Sequence, residues 1–168
     1  MDIVIRVARS EELDEIGELT AEAYLGDGLL DFGEADPYLA ELRDTRRRSE
    51  HAEVLVAADS RSDELLGTVA FVAEGGEYAD IARPGEGEFR MLAVRPEGRG
   101  RGAGEALVRA CVSRARGLGL TRLVLSSQQG MHAAHRLYGR LGFVRTPERD
   151  WEPLPGFRLW TFELDLST

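Results

Sequence analysis

Arg95-Pro96-Glu97-Gly98-Arg99-Gly100-Arg101-Gly102-Ala103-Gly104-Glu105 is the most informative stretch of this 168-residue chain. Glu88 to Val94, just before it, is an apolar, β-leaning run. After it, from about Gly102 to Leu118, the residues Ala106, Leu107, Ala110, Cys111 and Ala115 fall on one face of a helix. A strand, a glycine-rich turn and a helix start in that order make an anion site. The first turn of a helix carries unpaired N–H groups and partial positive charge, and glycine lets a ligand approach the backbone. Diphosphate is a natural occupant.

The elements around this turn follow from periodicity and caps. Ile3, Ile5 and Val7 alternate with Val4, Arg6 and Ala8, which predicts a first strand. Ser10 with Glu11 and Glu12 predicts a helix start, continued by Leu13, Ile16, Thr20, Ala23 and Tyr24 as far as Gly26. A connector from Gly26 to Glu34 leads to Asp36-Pro37, where a second helix is expected to run to about Arg48. Glu53 to Asp59 and Leu65 to Glu74 flank a polar turn and predict a hairpin, followed by a glycine- and proline-rich loop from Glu74 to Gly87. Leu120 to Ser126 reads as a buried strand and Met131 to Leu141 as a helix. Phe143 to Thr146 and Phe157 to Leu166 close the chain as strands. The order is β-α-α-β-β-β-α-β-α-β-β without repeat or linker, so a single domain over residues 1–168 is expected.

Composition narrows the function. Hydrophobic residues make up 43% and charged residues 30%, as in globular chains. No apolar run approaches the ~20 residues of a membrane span and the start lacks a signal pattern, so a cytoplasmic protein without a membrane partner is expected. One cysteine, Cys111, excludes an intrachain disulfide and a CxxC knuckle. His51, His132 and His135 lack ligand spacing, so no metal is expected. Ser126 and Ser127 lack a nucleophile context and Cys111 lies on an apolar helix face, which argues against covalent catalysis. The net charge of −9 disfavours a nucleic-acid partner. All 21 basic residues are Arg, and residues 106–147 hold seven of them with no acid. That asymmetry suggests an anionic ligand near the basic stretch and a neutral or cationic one elsewhere.

Three chemistries could use the turn. A P-loop needs a lysine after its second glycine, and this chain has none. A dinucleotide fingerprint is met superficially by Gly98, Gly100 and Ala103, but its acidic partner about twenty residues on is missing. The third pattern is Arg99-x-x-Gly102-x-Gly104 directly after Met91-Leu92-Ala93-Val94. With Leu137-Tyr138-Gly139-Arg140-Leu141-Gly142-Phe143 roughly 40 residues later, it resembles the GNAT superfamily of acetyl-CoA dependent N-acetyltransferases. That resemblance implies a mixed α/β (α+β) fold, a central, mostly antiparallel twisted sheet with splayed middle strands and helices on both faces.

It also implies roles. Backbone N–H groups of Gly100, Gly102, Ala103 and Gly104 would cradle the pyrophosphate of coenzyme A, with Arg99 and Arg101 adding charge. Leu92 and Val94 would bond the pantetheine arm as an added strand does, and Ala93 or its neighbour would polarise the thioester carbonyl. Tyr138 would return a proton to the thiolate. Glu88, with Glu86 as a substitute, would deprotonate the acceptor amine. On an alternating strand Glu88 shares a face with Arg90, Leu92 and Val94, though an edge-strand surface carboxylate is an alternative. The family's Asn seven residues before the tyrosine is Met131 here, a gap that Gln128 or Gln129 could cover. The acceptor is expected over the connector, near Asp27, Asp31, Glu34 and Asp36. It would be an amine-bearing small molecule or a peptide, a protein N-terminus or lysine included, and a homodimer fits as well. A non-catalytic acyl-CoA binding module is the rival from another class.

Overall fold

Among the described residues, eight strands and five helices alternate with glycine or polar breaks. The computed structural model describes residues 2–73 and 78–167. In order these are β1 (Ile3–Val7), α1 (Leu13–Gly26), α2 (Tyr38–Arg43), α3 (Thr45–His51), β2 (Glu53–Asp59), β3 (Leu65–Val72), β4 (Glu86–Val94), α4 (Ala103–Gly117), β5 (Arg122–Gln128), α5 (His132–Arg140), β6 (Val144–Arg145), β7 (Trp151–Leu154) and β8 (Phe157–Asp165). Short 3-10 turns fill several connections. The strands form one mostly antiparallel sheet, the mixed α/β arrangement the resemblance implies. No helix among the described residues is long and apolar enough to cross a membrane.

The chain forms two compact units, residues 1–71 with 91–111 and residues 72–90 with 112–168. In the first, β1 pairs antiparallel with β2, and β2 with β3. Every residue of β3 is buried, as expected of an inner strand. Its core joins Leu13, Ile16 and Leu19 of α1 to Val54 and Val56 of β2, with Leu65 and Ala93. A second cluster gathers Leu30, Leu39 and Leu42 around Met91. Gly17 permits the α1–α2 contact, because a Cβ there would overlap the Arg43 carbonyl oxygen. Gly17→Ala is therefore expected to destabilise the protein by about 1–3 kcal/mol, since backbone cannot yield as a side chain does. A urea melt would check this, and an unchanged midpoint would show that the two helices separate without cost.

In the second unit β4 runs parallel to β5 over three pairs only, Glu86 with Arg122, Gly87 with Leu123 and Glu88 with Val124. β5 pairs antiparallel with β8 over its whole length. β6 and β7 also pair with β8. Rings of Phe89, Tyr138, Phe143 and Phe162 pack with centroids 5.6–6.1 Å apart, a spacing suited to edge and tilted contacts.

Four expectations change. The helix expected from Asp36 to Arg48 is two helices. Asp44 leaves helical geometry at ψ 67° and its side chain accepts the Arg47 N–H, restarting the chain as α3. β4 begins at Glu86, so the expected loop is shorter; its residues 74–77, and Glu74 as the end of β3, lie outside the described residues. β7 adds a strand that the sequence reading lacks. Met91 sits at φ 56° within β4, a left-handed residue, and Glu88 is buried whereas Arg90, Leu92 and Val94, expected on its face, are partly exposed.

Candidate active site

In the first unit β4 leads into the glycine-rich turn. Pro96–Gly98 forms a 3-10 turn, Gly98 lies against Leu66 and Val94, and α4 starts at Ala103. Gly100 and Gly102 stand at φ 80° and 84°, a conformation costly for any residue with a Cβ. Positions where their Cβ atoms would lie face open space. The N–H groups of Gly100, Gly102, Ala103 and Gly104 donate to no backbone carbonyl among the described residues. The turn thus carries the donors an anion needs. Its arginines are arranged otherwise than expected. Arg99 Nη2 holds both oxygens of Asp27 at 2.9 and 3.0 Å, and Arg101 Nη2 holds Asp2 and Asp59 at 3.0 and 2.9 Å. Carboxylates offset both guanidinium charges, leaving the backbone donors as the principal positive feature.

The same pairs bear on the connector. Asp27 is engaged with Arg99, and Asp36 caps α2 through the Tyr38 N–H at 2.9 Å. Two of the four acids expected to attract a cation therefore have structural partners.

In the second unit Glu88 is fully buried, not an edge-strand surface carboxylate. Its Oε1 accepts the N–H groups of Asp80, Ile81 and Ala82, each at 3.0 Å. Oε2 is buried and has no hydrogen-bond partner among the described residues. Burial pushes the carboxyl up to about 7; Asp80 adds to that rise, while the backbone donors and Arg90 oppose it. One oxygen is thus clamped and the other left with unused acceptor capacity, which is the arrangement a base requires. Glu86, the substitute candidate, is committed instead. Arg149 grips it at 2.9 and 3.2 Å and Arg83 N–H donates to it at 3.0 Å.

Tyr138 is buried on α5, with its ring edge-on to Phe89 at 5.8 Å and tilted against Phe162 at 5.6 Å. Leu92 and Val94 are partly exposed and Ala93 is buried. One neighbour of Tyr138 entered the sequence reading only as a histidine without ligand spacing. His135, three residues earlier on the same helix face, stacks on Trp160 at 5.6 Å, and its Nε2 lies 3.0 Å from Ser127 Oγ. Burial holds this imidazole below its ordinary range. The i, i+3 spacing of His135 and Tyr138 was the available signal. Met131 takes the Ser127 hydroxyl on its sulfur at 3.6 Å, and Gln129 donates to the Arg158 carbonyl at 3.3 Å. Cys111 is buried, which raises its thiol pKa well above the ordinary range. Among the described residues no group of three or more His, Cys, Asp or Glu is gathered to hold a metal ion.

Comparison with known proteins gives these features a setting. An uncharacterized N-acetyltransferase of Schizosaccharomyces pombe is 35% identical over 105 residues, 62% of this chain and 60% of that protein. An L-methionine sulfoximine/L-methionine sulfone acetyltransferase of Pseudomonas aeruginosa is 37% identical over 105 residues, 60% of this chain and 55% of its own length. The matches thus span little more than half of these relatives. The crystal structure of PaiA N-acetyltransferase from Thermoplasma acidophilum, solved with coenzyme A, superposes with a TM-score of 0.74 at 18% identity, covering 98% of this chain and 99% of that one. Residues 13–143 match the model of the acetyltransferase (GNAT) family, and that stretch includes both the glycine turn and the tyrosine block, so the chain belongs to this family.

Proposed function

We propose that the protein is an N-acetyltransferase that moves an acetyl group from acetyl-CoA to the primary amine of a small, amino-acid-like molecule. The observation that carries the reading is Glu88, a buried carboxylate with one oxygen held by three N–H groups and the other without a hydrogen-bond partner among the described residues. Such a group is retained in a fold at a cost, and a proton to accept accounts for it. The Pseudomonas relative named for L-methionine sulfoximine and L-methionine sulfone favours a free amino acid or analogue as acceptor.

The residues present fit acetyl-CoA. Open space over Gly100 and Gly102, and the N–H groups of Gly100, Gly102, Ala103 and Gly104, which meet no backbone carbonyl among the described residues, suit a diphosphate. The thioester supplies the acetyl group, a C–N bond forming as the C–S bond breaks. Glu88 Oε2 takes the proton that the ammonium must lose before its nitrogen can attack. The Tyr138 hydroxyl gives a proton to the departing thiolate. Leu92 and Val94 bond the pantetheine arm through their backbone groups, and the N–H of Ala93 or a neighbour polarises the acyl carbonyl.

The test is incubation with acetyl-CoA and a panel containing L-methionine sulfoximine, L-methionine sulfone, the free amino acids, polyamines and peptides, with products read by mass spectrometry. An N-acetylated amino acid or analogue is expected, beside a rise in melting temperature on adding acetyl-CoA that Gly102→Asp removes. Acetylation of peptides alone would overturn the small-molecule assignment. Absence of both product and thermal shift would overturn the cofactor assignment.

A further inference from the structure

Glu88 owes its arrangement to a segment with no regular structure. Residues 78–85 lie in neither helix nor strand. Three consecutive N–H groups converge on one oxygen only when the backbone is curled, and outside regular structure a curl needs bonds from elsewhere. Two arginines provide them. Arg90 Nη1 donates to the Tyr78 carbonyl at 3.0 Å, and its Nε lies 3.2 Å from Asp80. Arg149 Nη2 donates to the Ile81 carbonyl at 2.6 Å. The other face of that same residue, its N–H, holds Glu88.

Arg149 is itself anchored. Its two arms hold both oxygens of Glu86, and Glu86 Oε1 also takes the Arg83 N–H. The side chains of Arg149 and Glu86 are only 7% and 4% exposed. A single buried ion pair therefore ties the segment down on both sides of Ala82. Arg149 arrives from the 3-10 turn Pro147–Arg149, 63 residues after Glu86. Its planar fork reaches both oxygens of a carboxylate and a carbonyl together, a bidentate geometry that the single nitrogen of a lysine does not reproduce.

We propose that Arg149, anchored by Glu86, is a positioning residue for Glu88, keeping residues 80–82 curled around Oε1 so that Oε2 alone is left to act on the substrate. The proposal rests on the reading of Glu88 as the base. Loss of the grip on Ile81 relaxes the curl, and a carboxylate losing donors that favour its ionised form titrates at higher pH. The charged groups facing Glu88 are Asp80 from the segment and Arg90 from β4, and β5 presents Val124 opposite it.

The experiment follows the Glu88 carboxyl directly, without any acceptor. Full-length protein is labelled with 13C-carboxyl glutamate, the Glu88 resonance is assigned by its absence in Glu88→Gln, and its pH titration is recorded beside a thermal melt. Arg149→Met is expected to raise the midpoint by about one unit or more. Arg149→Lys keeps the charge but gathers its donors on one nitrogen without the planar fork, and is expected to recover part of the shift. If Arg149→Met does not fold, Arg149→Gln takes its place, with a shift in the same direction. A Glu88 midpoint unchanged in every folded variant overturns the proposal, whatever the melts show. Full acetyl transfer by Glu88→Gln overturns the base reading instead, a result separate from the titration.

Discussion

Glu88→Gln is expected to lower kcat about 100-fold or more, the usual worth of a positioned base, while acetyl-CoA still raises the melting temperature. The substitution keeps an oxygen for the three N–H groups and puts an amide NH2, which cannot take up the proton, in place of Oε2. In the unsubstituted protein kcat/KM should rise with pH through about 7 as Glu88 ionises, and in the variant that limb should vanish. Stability should move the opposite way. A carboxyl whose folded-state pKa lies above its ordinary 4.5 binds more protons folded than unfolded, so its contribution is full below pH 4.5 and is lost as pH rises towards 7. Relative to Glu88→Gln, the unsubstituted protein should therefore lose about 2–3 kcal/mol between pH 5 and pH 8. Denaturant unfolding at the two pH values checks this, and rate profiles check the first part. An unchanged rate, or an acidic limb that survives in the variant, would end the assignment of Glu88 as base. The group that confers activity is then also one that the fold holds at a cost.

How much of this could be read in the sequence depended on the range of the interactions. The turn was legible because glycine at positive φ, as at Gly100 and Gly102, is a local requirement that leaves a local mark. The position of Tyr138 on an apolar helix face was legible for the same reason. Met91 was not, because a left-handed methionine arises from its place within β4 and leaves no signature in its own identity. The break at Asp44 needed the Asp-to-Arg47 cap to be recognised inside an otherwise continuous helical pattern. β7 was missed because Trp151-Glu152-Pro153-Leu154 is largely exposed, with a proline and no apolar alternation. Glu88 was identified as a candidate, but its environment could not be. The donors come from residues 80–82, and the brace comes from Arg149, contacts 6 to 8 and 63 to 68 residues apart with no periodic signal. The acidic partners of Arg99 and Arg101 are equally remote in sequence, which is why both arginines looked available to an anion.

Tyr138→Phe separates chemistry from binding more cleanly than any other substitution. The ring is buried among Phe89, Phe143 and Phe162, and phenylalanine preserves those contacts. The fold and the acetyl-CoA-induced thermal shift should therefore persist. What disappears is one hydroxyl. If it protonates the leaving thiolate, kcat should fall by about 100-fold or more, with KM for acetyl-CoA changed little, because the interaction exists only as the C–S bond breaks. A phenol near ~10 and a thiol near ~8.5 are close enough for that transfer when aligned. The basic limb of the rate profile should be lost with the hydroxyl, whereas Glu88→Gln removes the acidic one, so the two substitutions assign acid and base to opposite sides of one curve. A kcat within about threefold of the unsubstituted protein, with its basic limb intact, would leave Tyr138 only a packing role and require another source for the proton. His135, whose ring lies 6.5 Å from that of Tyr138 and whose Nε2 meets Ser127, is then the next side chain to substitute.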